Sequence, residues 1–218
     1  MSRSRSRYDL QVHTDASPCS ATSPAAVARA AGEANLDGIV VTDHDTLENV
    51  ARVRSCAPDD LDVVSGVEVT TTQGHLLGID VERTPPQTDP LSVIDDIHDQ
   101  NGIAVLSHPF DALRQVYDTD LAELAAAVDG VEAVNARCVR ESFNREARVF
   151  AAHHDLATTG GSDAHFPMEV GRAYTECAGS LREAIQSGNT VPRGRGRYLS
   201  GHVATKLHQA RRAVAGWW

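Results

Sequence analysis

Short apolar runs alternate with segments of helical periodicity along most of the chain. Runs such as Gly38–Thr42 and Gly102–Ser107 are bounded by polar residues or glycine, which is typical of buried strands. Strands that alternate with helices favour βαβ units and a parallel sheet. The predicted strands are Tyr8–His13, Gly38–Thr42, Asp62–Thr71, Gly102–Ser107, Gly130–Ala136, Ala157–Gly161 and Ala173–Cys177, with Gly74–Val81 as a candidate hairpin partner of the third.

Helix signals fill the intervals between the strands. Ser23 and Pro24 suit an N-cap and a first helical position, and Ser180 with Glu183 forms a capping box. The predicted helices span residues 24–35, a segment from about 47, and residues 90–100, 121–128, 141–153 and 180–187. A Gly/Arg loop, Arg193–Arg197, follows the last of them.

The chain length bounds the domain organisation. Its 218 residues fit a single α/β barrel, which we place at residues 8–199 between a disordered N-terminus, 1–7, and a C-terminal helix or tail, 200–218. The tail has apolar residues at helical spacing and is expected to close the barrel or to pair subunits. Contact with a membrane surface is the alternative, and the oligomeric state is left open.

The composition favours a cytoplasmic protein. No apolar stretch reaches the ~18 residues of a membrane span, and the basic start lacks the apolar region of a secretory signal. The four cysteines form no CxxC pair, which favours a reducing compartment. We therefore expect cytoplasmic localisation without stable membrane insertion.

The charge balance narrows the range of partners. A formal net charge of -10 disfavours a broad nucleic-acid surface, because such surfaces neutralise phosphates with Lys and Arg. The chain has 19 Asp and 11 Glu against 19 Arg and a single Lys, a usage that resembles proteins from high-salt cytoplasms. A small phosphorylated substrate held by metal ions remains compatible with this balance.

Residues of metal-binding type recur where the predicted strands end. They are His13, Asp43, His44, Glu68, His108, Asn135, Asp163 and His165. In α/β barrels the loops after the strands meet at one face, where active sites are built, and imidazole and carboxylate are usual ligands of Zn and Mn. A lone His is more often structural, and the helical residues His98, His153, His154, His202 and His208 are interpreted in that way. Their recurrence at independent strand ends predicts a metal site instead.

Six segments, in chain order, resemble the motifs of the PHP (polymerase and histidinol phosphatase) family. They are Asp9-Leu-Gln-Val-His13-Thr, Val41-Thr-Asp-His44-Asp, Gly66-Val-Glu68, Ser107-His108-Pro109, Glu132-x-x-Asn135 and Gly161-Ser-Asp163-Ala-His165. The resemblance extends from Asp9 to about Arg193. It implies a distorted seven-stranded (β/α)7 TIM-like barrel, two to three divalent metal ions (Mn, Zn or Fe) and hydrolysis of phosphate esters.

The resemblance also implies which residues hold each metal. A first metal would be held by Gln11, His13, Glu68 and Asp163, a second by Glu68, His108 and Asn135, and a third by Cys19, His44 and His165. Gln11 departs from the family pattern, which usually has His there, and an amide oxygen is a weaker, neutral donor. Cys19 stands where His or Asp is usual. Its thiolate would suit Zn, and a small buried cysteine is an equal alternative.

An enzyme with this site is expected to attack phosphorus with a metal-bound hydroxide, as two-metal sites allow. Asp163 would orient or deprotonate that water, and His44 or His165 would protonate the leaving oxygen. Arg137 and Arg172 are candidate phosphate ligands, with a solvated surface charge as an equal alternative for each.

Three functions stay open at this stage. The favoured one is a metal-dependent phosphoesterase for a small phosphomonoester or nucleotide. The second is a nuclease that trims nucleic-acid ends, guided by the basic segment Arg193–Arg197. The third is a catalytically impaired, metal-binding regulatory barrel, which Gln11 would explain. His75 either supports the metal ligands or only packs the hairpin.

Overall fold

A computed structural model describes residues 5–115, 117, 119–196 and 205 of the protein. The strands are β1 (Ser6–Val12), β2 (Gly38–Val41), β3 (Asp62–Thr70), β4 (His75–Ile79), β5 (Ile103–Leu106), β6 (Gly130–Asn135), β7 (Ala157–Gly161), β8 (Ala173–Cys177) and β9 (Thr190–Gly194). The helices are α1 (Pro24–Glu33), α2 (Val50–Cys56), α3 (Pro90–Asp99), α4 (Leu121–Ala127), α5 (Glu141–His153) and α6 (Leu181–Gln186), with a 3-10 turn at Pro167–Glu169.

The strands form one sheet in the order β7-β6-β5-β4-β3-β2-β1-β8-β9. Strands β1, β2 and β3 pair in parallel, as do β5, β6 and β7. Strand β4 lies antiparallel between β3 and β5, and β8 lies antiparallel to both β1 and β9. An antiparallel strand therefore begins at the end of the barrel where its parallel neighbours finish.

The two ends of the sheet approach each other, so that the sheet is a nearly closed barrel. Val12 forms a parallel bridge with Ala164, and the amide of His13 donates to the Ala164 carbonyl over 2.9 Å. On the far side, the Thr190 hydroxyl donates to the Thr158 carbonyl over 2.8 Å and so ties β9 to β7. The loop after β7 is thereby brought against the end of β1.

Asp9 anchors this closure from within β1. The side chain is fully buried and accepts backbone N–H bonds from Gln11 (3.3 Å), Ser162 (2.8 Å) and Gly171 (2.8 Å). Burial raises its pKa to about 6, which still leaves the carboxylate ionised at neutral pH. One side chain thus joins the first strand to two segments more than 150 residues away.

Both faces of the sheet are buried, as the near-continuous apolar runs predict for strands covered on both sides. Leu76 and Leu106 pack outward with Ile94 of α3, whereas Leu77 packs inward with Val40. Successive residues of a strand point to opposite faces, so the alternation assigns each side chain to one of the two cores. Burying a Leu or Ile side chain contributes about 1.5–3 kcal/mol to folding.

The described sheet has nine strands, so the expected count of seven is corrected. The candidate hairpin partner of the third strand is β4, and it pairs on both sides. Strand β9 overlaps the predicted Gly/Arg loop, where Pro192 and charged residues hide the strand pattern. Pro192 lacks an N–H and is tolerated because β9 lies at the sheet edge. The strand Ala173–Cys177 is antiparallel to its neighbours, contrary to the parallel prediction.

Within the described part of the chain, no helix is long and apolar enough to cross a membrane. The predicted tail, 200–218, lies outside the described residues except for Thr205, and the predicted domain boundaries stay predictions. On the helices, the His98 ring nitrogen lies 3.0 Å from Asp129 at the surface, as expected for a structural histidine.

Candidate metal site

The loops at one edge of the barrel surround a cavity of about 320 Å³. It is lined by Cys19, His44, Glu68, His75, His108, Asp111, Leu113, Arg114, Arg137, Val139, Asp163, His165 and Thr205. Most of these residues follow the end of a parallel strand, where ligand sites are built in α/β barrels. His75 opens the antiparallel strand β4, which places it at the same edge.

Glu68 lies at the centre of the imidazole cluster. One carboxylate oxygen, Oε2, is 3.2 Å from His13 Nε2 and 3.5 Å from His44 Nε2. The other, Oε1, is 3.2 Å from His108 Nε2 and 3.7 Å from His75 Nδ1. Each oxygen therefore faces a different pair of rings, which is the geometry of a carboxylate that bridges two cations.

Asp163 is the second carboxylate of the cluster. Its Oδ1 lies 3.2 Å from His13 Nε2 and 3.5 Å from His165 Nδ1. Asp163 has a φ of 55° and His108 a φ of 31°, in the left-handed region that non-glycine residues rarely adopt. Such strain costs on the order of 1–3 kcal/mol and is typical of functional sites.

Hydrogen bonds outside the cavity orient two of the rings. The Ser17 hydroxyl donates to Asp43 over 2.6 Å and lies 3.2 Å from His13 Nδ1, so Nδ1 carries the proton that Ser17 accepts. His165 Nδ1 donates to the Asp163 carbonyl over 2.7 Å. In both rings Nε2 is left with its lone pair, as metal binding requires. Asp43 thus supports the loop after β1 and lies outside the cavity lining.

Three groups of donor atoms in the described residues are close enough to hold a metal ion. They are His13, His44 and His165; Glu68, His75 and His108; and His13, Glu68 and Asp163, each with ligand atoms within 4.8 Å of one another. His13 Nε2 and His75 Nδ1 are buried and have no hydrogen-bond partner among the described residues. Since buried polar atoms are almost always satisfied, the donor set fits divalent metal ions.

The two amide residues form a hydrogen-bonded pair. Asn135 Nδ2 donates to Gln11 Oε1 over 3.1 Å, while Asn135 Oδ1 accepts from the amide of Arg137 and from Arg114. Gln11 Nε2 donates to Ser107 over 3.2 Å. The oxygen is the atom of each amide suited to a metal; Asn135 Oδ1 accepts two hydrogen bonds and Gln11 Oε1 accepts one. Both remain beside the cluster of His, Glu and Asp donors.

Arg114 is a residue of the site that the sequence analysis missed. Its guanidinium contacts Asp111 (2.8 Å), Asp163 Oδ2 (2.5 Å) and Asn135 Oδ1 (3.3 Å). Gln115 fixes the loop that carries it, since its side chain donates to the Ser107 carbonyl over 2.8 Å. The only signal in the sequence was its position in the loop that follows the His108 motif.

Glu132, noted only as part of a motif, supports two neighbours of the cluster. Its Oε2 accepts from the His108 amide over 2.9 Å and from Asn135 Nδ2 over 3.0 Å. Burial, together with the charge of Asp163, raises the pKa of Glu132 well above its usual value. A neutral carboxyl group can therefore hold these residues without adding charge to the site.

The remaining predicted residues lie in different environments. Arg137 lines the cavity but is buried and paired with Glu169 over 2.8 Å, and it also donates to Thr205 over 2.9 Å. Arg172 is exposed, lies outside the cavity lining and donates to the Met168 carbonyl over 3.1 Å. The predicted contact of Arg172 with substrate stays a prediction.

Cys19 lies in the cavity wall but not in the donor groups. Its sulfur belongs to none of the three clusters of described residues. Burial raises the pKa of this thiol to about 11, which favours the neutral form over the thiolate that binds zinc. A bound metal ion would lower this pKa, so both predicted roles of Cys19, ligand and small buried cysteine, stay predictions.

Neighbouring charges keep both carboxylates of the cluster ionised. Burial alone would raise the pKa of Glu68, but the imidazoles of His44 and His75 and their neighbours outweigh it and hold the pKa well below its usual range. Burial opposes ionisation of Asp163 as well, yet Arg114 and the nearby rings lower that pKa below its usual range. The cavity thus contains two fixed negative charges at neutral pH.

The pKa values of two buried histidines, His13 and His165, shift in opposite directions for different reasons. Burial lowers the pKa of His13, but Asp163 and Glu68 outweigh it and raise the pKa well above its usual value. Burial and the positive charge of His13 hold the pKa of His165 well below its usual value. The anions that attract a proton to His13 would attract a metal cation to the same nitrogen.

Part of the chain matches a family model. Residues 141–190, from the start of α5 to the start of β9, match a model described as PHP-associated. This segment contains Asp163 and His165. The uncharacterized protein MJ0417 of Methanocaldococcus jannaschii is 29% identical over 174 residues, which are 77% of this chain and 69% of that protein.

Solved structures share the fold. A two-domain protein of Bacteroides vulgatus, described as containing a predicted PHP-like metal-dependent phosphoesterase, is 20% identical with a TM-score of 0.76. The match covers 88% of this chain and 66% of that chain, so this chain spans just under two thirds of that protein. PsfC of Pseudomonas syringae is 20% identical with a TM-score of 0.71, and the match covers 95% and 99% of the two chains.

Proposed function

We propose that this chain is a member of the PHP family and a metal-dependent phosphoesterase that hydrolyses a small phosphomonoester or nucleotide. The observation that carries the proposal is the position of Glu68, whose two oxygens face two different pairs of imidazoles within 3.7 Å. Divalent metals bound there would supply a nucleophilic water at neutral pH and neutralise charge on the phosphate.

The buried donors of the cluster have the roles of metal ligands in this proposal. Glu68 would bridge, with His75 and His108 on one side and His13 with Asp163 on the other. His75 has the ligand role that the family resemblance implies for Asn135, because the Asn135 oxygen accepts from Arg114 and from the Arg137 amide. Mn, Zn and Fe are all compatible with a mixed imidazole and carboxylate set.

Two residues have the candidate roles in proton transfer. Asp163 would orient the attacking water with its Oδ1, which faces the His13 ring. His44 is the better donor to the leaving oxygen, because its side chain is 24% exposed at the cavity while the His165 side chain is 8% exposed. A proton donor must reach both the substrate and the solvent that reprotonates it.

The shape and charge of the cavity support a small substrate. A volume of about 320 Å³ is at the lower end of small-molecule sites. Arg137 lines the wall, but its pairing with Glu169 makes it a support for the loop of His165 more than a free phosphate ligand. A net charge of -10 favours a compact substrate over a long nucleic acid.

Phosphate release from a panel of phosphomonoesters, nucleotides and short oligonucleotides tests the proposal. The purified protein would be assayed with Mn²⁺ or Zn²⁺, at low and high salt, beside Asp163→Asn. We expect metal-dependent release from a small ester that falls about 10²–10⁴-fold in the variant. Cleavage restricted to oligonucleotides would favour the nuclease instead, and no release under any condition would favour the impaired barrel.

Metal titration of His75→Ala and Cys19→Ser separates a ligand from a wall residue. We expect His75→Ala to weaken metal binding about 10–100-fold, as losses around metal sites commonly do. Cys19→Ser should leave the affinity within a factor of about three, since its sulfur lies outside the donor groups. Calorimetric titration with Zn²⁺ is the measurement. The reverse order of effects would return Cys19 to the ligand set and remove His75 from it.

A further inference from the structure

Arg114 places a fixed positive charge among three side-chain oxygens. Its guanidinium is within 3.3 Å of oxygens from Asp111, Asp163 and Asn135. These three oxygens come from the loops after β5 and β7 and from the end of β6, and they accept from Nε, Nη1 and Nη2 of the same guanidinium. Carboxylate and amide oxygens are the usual ligands of hard divalent cations such as Mn²⁺.

The donor groups independently limit how many ions the cluster can hold. Two of the three groups share His13, whose Nδ1 is engaged with Ser17 and whose Nε2 has a single lone pair. Only one of those two groups can therefore be complete at a time. Glu68 is shared as well, but its two oxygens can serve two ions. The His, Cys, Asp and Glu side chains of the described residues thus offer two complete three-donor sets at once.

We infer that Arg114 is a built-in cation that takes the place of one metal ion, so that this chain binds two metal ions and not three. The inference rests on the metal centre of the proposed function and specifies its composition. The neutral residue Gln11 is consistent with it, because its oxygen accepts from Asn135, whose own oxygen accepts from the guanidinium. A metal ion beside Asn135 would meet the positive charge of Arg114 at close range.

Removing the guanidinium should turn its position into a metal site. In Arg114→Ala, the oxygens of Asp111, Asp163 and Asn135 lose their shared cationic partner. Buried carboxylates without a partner are costly, so a divalent cation should bind there. Arg114→Lys keeps the charge and should exclude the ion. Arg83→Ala is the matched control, because Arg83 pairs with Asp96 at the surface, away from the cavity.

The experiment counts metal ions per chain by inductively coupled plasma mass spectrometry, after saturation with Mn²⁺ and gel filtration. We expect two ions in the wild type, Arg114→Lys and Arg83→Ala, and three in Arg114→Ala. A count of three in the wild type, or an unchanged count of two in folded Arg114→Ala, would overturn the inference.

Circular dichroism checks the fold of each variant. If Arg114→Ala folds only when Mn²⁺ is present, the ion has replaced the guanidinium, which supports the inference. If Arg114→Ala folds in neither condition, the metal counts of the wild type and Arg114→Lys are the test. Two ions per chain in both proteins would support the inference, and any other count would overturn it. Phosphate release is not part of this test. A protein with two ions and no phosphatase activity would contradict the proposed function alone.

Discussion

Glu68→Gln is expected to remove metal binding from both sides of the cluster and to abolish phosphate release. Each oxygen of Glu68 faces a separate pair of imidazoles, and an amide supplies neither the negative charge nor two equivalent oxygens. A catalytic metal supplies several kcal/mol of transition-state stabilisation. The rate should therefore fall by roughly 10³-fold or more.

Metal content and phosphate release should be measured on the same samples of this variant. Glu82→Gln is the matched control, because Glu82 is exposed and lies outside the cavity lining. The Asp163→Asn variant should retain the ion at Glu68, His75 and His108, so its metal content should fall less than that of Glu68→Gln. Wild-type metal content in Glu68→Gln would rule out a bridging role for this carboxylate.

Asp9→Ala is expected to lower the free energy of unfolding by about 3 kcal/mol or more. The substitution leaves buried N–H groups of Gln11, Ser162 and Gly171 without their acceptor, and each such loss costs about 1–3 kcal/mol. For a chain of this size, 3 kcal/mol corresponds to a fall in melting temperature of roughly 6–12 °C.

Thermal and urea unfolding, followed by circular dichroism, measure this effect. Asp60→Ala removes the same carboxylate from an exposed position and should change the stability by about 0.5 kcal/mol at most. Asp9→Asn keeps one acceptor oxygen and should lie between the two. If Asp9→Ala were as stable as Asp60→Ala, the closure of the barrel at β1 would not depend on this side chain.

The motif around β1 contains a structural residue, Asp9, as well as a candidate metal ligand, His13. His13 and Asp9 belong to the same segment, yet His13 contacts Asp163 of the cluster and Asp9 holds the loop after β7. The motif identifies the segment but predicts no role for Asp9. Its role depends on partners more than 150 residues away, which a local pattern does not identify.

Local patterns predicted the elements and many of the residues in the cluster. Apolar runs and capping residues located the helices and most strands, because burial and capping act within a few residues. The rule that strand ends converge brought His13, Glu68, His108 and Asp163 together before any contact was known. His75 was noted, but its membership of the cluster follows from the antiparallel direction of β4.

The amino-acid sequence by itself determined the α/β class, the edge of the barrel that bears the site, and the chemical type of its ligands. Only the tertiary structure decided the count of nine strands, the engagement of Gln11 with Asn135, the surface position of Arg172 and the entry of Arg114 into the cluster. The physical reason is that side-chain direction and long-range pairing depend on strand register and loop conformation, which involve the whole chain.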